Sequence, residues 1–153
     1  MRIKNCRNCN KKKLEFLFSL GNLSFTGKFP KKNIIIKKAP LEIVMCKSCK
    51  LIQLAHRFNL KYLYGPDYGY RSNISKTMVT HLKNVVSRTS KRVNLKSFQS
   101  VLDIASNDAT LLKNYPKNIT TFGIDPLINK YIKEYKKIDY KSSSFFSLKE
   151  VKK

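Results

Sequence analysis

Two pairs of cysteines, each with the spacing CxxC, are the feature that most restricts how this chain folds. Cys6 and Cys9 form one pair, Cys46 and Cys49 form the other, and together they are all the cysteines of the chain. Zinc takes four ligands at tetrahedral positions, and a CxxC turn directs two sulfurs at one point. We therefore predict a four-thiolate Zn²⁺ site. Four protein ligands leave no position for water, so the predicted role is structural.

Four unrelated free thiols, or a redox CxxC pair, are the alternatives to this metal site. The segment 10–45 between the pairs is longer than in a compact zinc finger and predicts a small β-rich insert. Alternating apolar residues predict strands at 14–18, 41–45 and 50–54, and His56 is interpreted as a surface residue after the last strand. Turns between the first two strands are predicted at three residues: Gly21, Gly27 and Pro30.

The composition predicts a folded protein outside the membrane. Hydrophobic residues make up 42% and aromatic residues 11% of the chain, which argues against disorder. No apolar run is long enough to span a bilayer, and the N-terminus has no apolar signal core, so we expect no membrane partner. The expected location is cytoplasmic, where reduced thiols favour metal binding over disulfides. The sequence leaves the oligomeric state open.

The charge of the chain is strongly basic. There are 32 Lys and Arg residues against 9 Asp and Glu residues, a formal net charge of +23. Such an excess can indicate a nucleic-acid partner. The lysines are spread over the whole chain, however, and lysine, isoleucine and asparagine all have A/T-rich codons. Coding bias is therefore the favoured explanation, and a nucleic acid is the less favoured partner.

The middle of the chain combines a tyrosine-rich loop with a helix. Four tyrosines, interrupted by glycine and proline, exclude a regular helix over 62–73. Apolar residues at three- to four-residue spacing then predict a helix that begins at Ser72 or Asn73 as the N-cap. His81 lies beside this apolar stripe and is interpreted as a bystander. The charged segment 87–96 is predicted to be a linker.

The last third alternates between strand and helix. Strands are predicted at 101–104, at 119–125 and from Ile138, with helices at 110–115 and 128–137 between them. This alternation is typical of a parallel sheet in an α/β domain.

Two aspartates mark the expected ligand edge of that sheet. Asp103 lies in the first strand and Asp125 ends the second. Ligands of such sheets bind at the carboxyl ends of the strands, where a carboxylate after the second strand can accept both ribose hydroxyls of an adenosine cofactor. We therefore predict that both aspartates are cofactor ligands; a helix cap or a surface charge is the alternative for each.

The order of these motifs resembles the sugar C-methyltransferase family. The CxxC pairs are followed by YGYRS at 68–72, VLDIASND at 101–108 and GIDP at 123–126, so that the resemblance runs from Cys6 to about Ser147. It implies methylation of a nucleotide-activated keto-deoxysugar with S-adenosylmethionine. The implied fold is α/β: a small β-rich zinc-binding domain at 1–60, the tyrosine-rich loop and helix at 61–96, and the start of a Rossmann-like class I methyltransferase domain at 97–153.

The resemblance also assigns roles to single residues. Asp125 would bind the ribose of the cofactor, and Tyr68 and Tyr70 would line the sugar pocket. The family has glycine where this chain has Ala105 and Ala109, and an alanine forced to positive φ costs about 1–2 kcal/mol. The methionine part of the cofactor would be held by five residues: Asp103, Ala105, Ser106, Asn107 and Asp108.

The catalytic residue stays unassigned. In the resembled family the base that removes a proton beside the ketone is a histidine from a later segment, which this chain lacks. We therefore expect a truncated methyltransferase that is inactive alone. A zinc-ribbon RNA methyltransferase, and a non-catalytic zinc-stabilised binding module, are the alternatives.

Overall fold

The computed structural model describes residues 1–25, 27, 29, 35–97 and 99–151. The chain divides into two units, Met1–Gly69 and Tyr70–Lys153. The division into 1–60, 61–96 and 97–153 stays a prediction. Pro30, one of the predicted turn residues, lies outside the described residues.

The first unit is built on a three-stranded antiparallel sheet in the order β1-β2-β3. Its strands are β1 (Leu14–Ser24), β2 (Lys38–Cys46) and β3 (Ile52–Leu54). All three predicted strands are confirmed, but β1 continues through Gly21. The turn predicted at this glycine is wrong, because Gly21, with φ of 75°, lies where the register between β1 and β2 shifts inside the strand.

The interior of the first unit is small. Its buried residues include Phe25 and five residues on or near the strands: Cys6, Val44, Cys46, Gln53 and Ala55. Most of β1 is exposed, including Phe16 at 53% and Leu20 at 57%. His56 is half-buried, forms an isolated bridge with Arg2 and does not belong to the cysteine cluster, so it is partly exposed where a surface residue was expected.

The tyrosine-rich segment begins inside a short helix. Helix α1 (Leu60–Leu63) starts at Asn59, whose side chain accepts a hydrogen bond from the N–H of Lys61 at 3.0 Å. After Leu63 the chain is irregular as far as Arg71, as predicted for most of 62–73. The glycines and the proline of this segment do not favour a continuing helix.

The second unit opens with a 3₁₀ helix, Ser72–Ile74, followed by α2 (Lys76–Arg92). The predicted N-cap is wrong: Ser75 caps α2 by accepting a hydrogen bond from the N–H of Met78 at 3.3 Å. Helix α2 also continues through 87–92, the first part of the predicted linker, where three of the six residues are Lys or Arg, which are good helix formers. His81 lies on its exposed face. In the part of the chain that the structure describes, no helix combines the length and apolar character needed to span a bilayer.

A parallel three-stranded sheet follows, in the order β4-β5-β6. Its strands are β4 (Ser100–Ile104), β5 (Thr120–Ile124) and β6 (Tyr140–Ser142), which confirms the predicted parallel arrangement. The two predicted helices are replaced by 3₁₀ helices at Leu112–Asn114 and Ile128–Tyr135. A short helix, α3 (Leu148–Val151), comes after β6.

The two faces of this sheet differ. On one face Leu112 and Tyr135 pack against Gly123, where an added Cβ would lie only 3.0 Å from the Tyr135 ring. The other face exposes apolar side chains, among them Ile104 at 49% and Tyr140 at 57%. Parallel sheets are usually covered on both faces, so this exposed face is unusual.

Candidate functional site

The four cysteines converge on one point in the first unit. Their sulfur atoms all lie within 4.8 Å of one another. The Sγ atoms of Cys6 and Cys49 are 3.6 Å apart, as are those of Cys9 and Cys46. A tetrahedral zinc ion with Zn–S bonds of about 2.3 Å spaces its sulfurs about 3.8 Å apart. The arrangement therefore fits the predicted ion and argues against four unrelated thiols.

The two CxxC turns have the same backbone geometry. In the first, the N–H of Asn10 donates to the carbonyl of Cys6 at 3.1 Å; in the second, the N–H of Lys50 donates to the carbonyl of Cys46 at 2.8 Å. Asn10 and Lys50 both have positive φ, 58° and 60°. In each turn, this residue in the left-handed backbone conformation ends the turn, so that both sulfurs lie on the same side of the chain.

A buried glutamine supports the first turn. The Nε2 of Gln53 on β3 donates to the Sγ of Cys6 at 3.2 Å, and its Oε1 accepts a hydrogen bond from the N–H of Arg7 at 3.1 Å. The guanidinium of Arg7 donates to the carbonyls of Leu54 and His56, at 2.7 and 2.9 Å. Sequence reasoning missed Gln53; its signal is a polar residue between two apolar residues in a short strand.

Hydrogen bonds change the acidity of the thiols. The backbone N–H of Cys9 is the main cause that lowers the pKa of Cys6 to about 6; burial opposes it, and Gln53 adds to it. The N–H of Cys49 lowers the pKa of Cys46. For Cys9, the N–H of Lys11 acts to lower the pKa, but burial and the neighbouring thiols raise it to about 11. Adjacent thiolates repel one another unless a cation balances their charge, which a bound Zn²⁺ does.

The second candidate region is the carboxyl edge of the parallel sheet, where Asp103 and Asp125 lie. Asp125 is buried, with its Oδ2 accepting a hydrogen bond from the N–H of Asn107 at 3.0 Å and its Oδ1 one from the N–H of Leu127 at 2.7 Å. Burial raises the pKa of Asp125, and these hydrogen bonds oppose the increase. Asp125 therefore ties the turn after β4 to the turn after β5.

Asp103 has a different environment. It is half-buried on β4, and no described residue donates a hydrogen bond to its carboxylate. Burial, and then the charge of Asp125, raise its pKa to about 6. A half-buried carboxylate without a donor can accept hydrogen bonds from a ligand.

The turn after β4 contains three residues with positive φ: Ala105 at 63°, Asn107 at 49° and Ala109 at 60°. This confirms that both alanines occupy the conformation normally taken by glycine. The N–H groups of Ala105 and Ser106 both donate to the carbonyl of Ile124, at 2.8 and 3.2 Å. The turn is therefore held to the end of β5.

The side chains of Ser106, Asn107 and Asp108 are all engaged within the second unit. The Oγ of Ser106 lies 2.7 Å from the hydroxyl of Tyr135. Asn107 bonds to the backbone of Tyr70 and Ser72, and Asp108 to the backbone of Asn73. Sequence reasoning missed these contacts because their partners are distant in the sequence.

The two tyrosines predicted to line a sugar pocket belong to different units. Tyr68 is half-buried in the first unit, where its ring packs against Gly27 and lies 5.3 Å from the ring of Tyr64. Tyr70 begins the second unit and is 42% exposed. Their role in lining a sugar pocket stays a prediction.

Comparison with known proteins gives two similarities. Residues 6–64 match the family model Methyltransf_13, described as "Putative zinc binding domain". This segment contains all four clustered cysteines together with β1, β2, β3 and α1. The match and the sulfur geometry agree that the first unit carries a zinc-binding domain.

The chain is also similar to the C-methyltransferase NovU of Streptomyces niveus. The two are 26% identical over 91 residues, which make up 59% of this chain and 21% of NovU. The aligned part thus spans about one fifth of that relative. This similarity and the match to the zinc-binding domain relate the chain to methyltransferases.

Proposed function

We propose that this chain carries the zinc-binding domain and the first strands of a Rossmann-like domain of an S-adenosylmethionine-dependent C-methyltransferase. Its substrate would be a nucleotide-activated keto-deoxysugar, and the protein would act in the cytoplasm. The similarity to a named C-methyltransferase supports the reaction class. The three parallel strands lie side by side in the order in which they follow in the chain. This order supports a Rossmann-like domain, since each half of such a fold has three parallel strands arranged in this way.

The positions of Asp103 and Asp125 are the observation that carries this proposal. Asp103 lies near the end of β4 and Asp125 directly follows the adjacent parallel strand β5, at the carboxyl edge where ligands of such sheets bind. Asp103 would accept hydrogen bonds from the amino group of the methionine part. Asp125 already accepts two N–H groups, but each carboxylate oxygen has a second lone pair for a ribose hydroxyl.

The other predicted ligands contribute mainly through the shape of the turn. Ala105, Ser106, Asn107 and Asp108 bring the chain across the end of β5, so that a cofactor would pass close to the backbone. Bound S-adenosylmethionine would supply an electrophilic methyl group. Tyr70, in the same unit, would line the sugar side of the pocket, and the same role stays a prediction for Tyr68. The zinc ion would hold its four thiolates and take no part in methyl transfer.

Isothermal titration calorimetry with S-adenosylhomocysteine, the demethylated cofactor, tests the proposal on the zinc-loaded chain. We expect one binding site. Asp103→Asn should weaken binding about tenfold or more, because a hydrogen bond from a charged donor to a carboxylate contributes about 1.5–3 kcal/mol. Asp139→Asn is the matched control, since Asp139 accepts hydrogen bonds from Thr121 and lies outside the proposed ligand set.

Three results would count against the proposal or a part of it. If the unmodified chain does not bind the cofactor product, the non-catalytic zinc-stabilised module becomes the better account. If it binds RNA with a steep salt dependence, the RNA methyltransferase alternative is favoured. Equal affinities for the unmodified chain and Asp103→Asn would remove Asp103 from the site.

A further inference from the structure

The 3₁₀ helix Ser72–Ile74 receives its N-terminal cap from a distant part of the chain. The first N–H groups of a helix have no acceptor within it and are usually capped by the preceding residue. Here that residue is Arg71, whose side chain makes no such hydrogen bond. The N–H of Ser72 donates instead to the Oδ1 of Asn107, and the N–H of Asn73 to the Oδ2 of Asp108, both at 3.1 Å.

Asn107 makes a second contact with the same segment. Its Nδ2 donates to the carbonyl of Tyr70 at 3.3 Å. One side-chain amide thus accepts from Ser72 and donates to Tyr70, which neither a carboxylate nor an apolar side chain can do. Asn107 has φ of 49°, a conformation that asparagine tolerates better than most residues. We call the contacts of Asn107 with Tyr70 and Ser72 the Asn107 clasp.

Arg71 reinforces the clasp from the side. Its Nε lies 3.5 Å from the Oδ2 of Asp108, and its Nη2 lies 2.9 Å from the Oε1 of Glu134. Its guanidinium also lies over the ring of Tyr131, 4.8 Å from the centroid. Asp108 is fully buried, so this charged contact is sheltered from water. Residues 70–73 are therefore held by hydrogen bonds to their backbone and by the ion pairs of the Arg71 side chain.

We propose that Asn107 is a positioning residue that holds Tyr70–Asn73 on the turn after β4. In the same turn, the backbone N–H of Asn107 donates a hydrogen bond to the carboxylate of Asp125. One residue therefore connects the carboxyl edge of the sheet, through its backbone, with the tyrosine segment, through its side chain. The value of this connection for a substrate rests on the proposed function, in which Tyr70 lines the sugar pocket. The clasp itself needs no ligand.

Residue-resolved amide hydrogen exchange of the full zinc-loaded chain, measured by NMR without ligand, tests the clasp. Asn107→Gly removes the side chain but permits the positive φ, so exchange at Ser72 should become about tenfold faster. Asn107→Asp keeps the acceptor for Ser72, and exchange there should stay within about threefold of the unmodified rate. Asn114→Ala is the control: its amide bonds to Thr110, and it should leave Ser72 unchanged.

The two Asn107 variants separate positioning from a general loss of structure. Faster exchange at Ser72 in Asn107→Gly, with recovery in Asn107→Asp, supports the Ser72 contact of the clasp, which is the contact that a carboxylate keeps. Equal exchange at Ser72 in all variants overturns it, as does faster exchange spread evenly over β4 and β5. Failure of S-adenosylhomocysteine to bind the unmodified chain would defeat the proposed function only, since the exchange result is obtained without ligand.

Discussion

At the residue scale, the turn after β4 places Ala105 and Ala109 at positive φ. Their Cβ atoms make this conformation unfavourable by about 1–2 kcal/mol each. The two residues differ in surroundings, because Ala105 is exposed whereas Ala109 is fully buried. A glycine therefore removes strain at both positions but also removes a packed methyl group at one.

We predict that Ala105→Gly raises the free energy of unfolding by about 1 kcal/mol, because strain is removed without loss of packing. Ala109→Gly should be closer to neutral, since losing a buried methyl group costs about 0.8 kcal/mol. Urea unfolding of the second unit, followed by NMR, measures both. Ala39→Gly, within β2, is the control and should destabilise its own unit. A destabilised Ala105→Gly would contradict the strain argument.

The raised pKa of Asp103 predicts a pH dependence. Its pKa is about 6 in the folded chain against an ordinary value of 3.8. Between these values the folded chain retains a proton that the unfolded chain has released. The contribution of Asp103 to stability is therefore greatest below pH 3.8, falls as the pH rises towards 6, and stays low above it.

The Asp103→Asn variant has no ionisable side chain at this position. Its stability should therefore not fall in the way that the charge of Asp103 makes the stability of the unmodified chain fall. We predict that its stability relative to the unmodified chain increases between about pH 4 and pH 6, by at most about 3 kcal/mol. Urea unfolding at a series of pH values measures this difference, in which the titration of other groups cancels. A difference that is constant across the range would show that Asp103 has an ordinary pKa.

At the scale of elements, β3 links the first sheet to the metal centre. Gln53 faces inward between two exposed residues and contacts both Cys6 and the backbone of Arg7. Residues that orient metal ligands typically change metal affinity by 10–100-fold when they are replaced. The glutamine is therefore part of the zinc site although it is not a ligand.

Gln53→Leu should weaken zinc binding by about tenfold or more, because it removes the donor to Cys6 and leaves the N–H of Arg7 without its acceptor. Competition with a chromophoric chelator measures the affinity. Gln99→Leu is the matched control, since Gln99 accepts a hydrogen bond from Lys96 in the second unit. Equal affinities for the two variants would reduce Gln53 to a packing role.

Local patterns predicted the elements better than they predicted their ends. The CxxC spacing and the alternating strands led to the cysteine cluster and to both sheets. The start of α2 was misplaced because Ser72, Asn73 and Ser75 are all good N-caps, and only the contacts with Asn107 and Asp108 draw the first two into a separate 3₁₀ helix. Such contacts join residues 35 positions apart and leave no periodic signal.

The loss of α-helix at 110–115 and 128–137 has a similar cause. Apolar spacing does not distinguish an α-helix from short 3₁₀ turns, because neighbouring contacts decide between them. Tyr135 ends the second 3₁₀ helix with its hydroxyl bonded to Ser106 and to the carbonyl of Asn107. The contacts of Ser106 and Asn107 thus depend on packing that the sequence does not display.

At the scale of the whole molecule, the two units differ in the interactions that stabilise each of them internally. The first has a largely exposed β1 and a small interior that contains two of the four cysteines. The second buries apolar side chains against a parallel sheet. When a site forms only in the folded state, metal binding contributes directly to folding. The first unit should therefore depend on zinc more than the second does.

We predict that chelation of zinc removes the dispersed amide signals of Met1–Gly69 and leaves those of the second unit largely in place. Two-dimensional NMR of the full chain, before and after metal removal, tests this expectation, and re-addition of zinc is the control for reversibility. An unchanged spectrum of the first unit, in protein shown by metal analysis to be zinc-free, would contradict the structural role of the ion.

Mapping S-adenosylhomocysteine onto the chain by NMR tests whether the carboxyl edge of the parallel sheet binds a methyltransferase cofactor. We predict saturable shifts of the amides at Asp103, Ala105 and Asp125, at the carboxyl edge of the parallel sheet. Shifts confined to the zinc-binding unit, or none at millimolar ligand, would contradict the assignment of this edge to a methyltransferase cofactor.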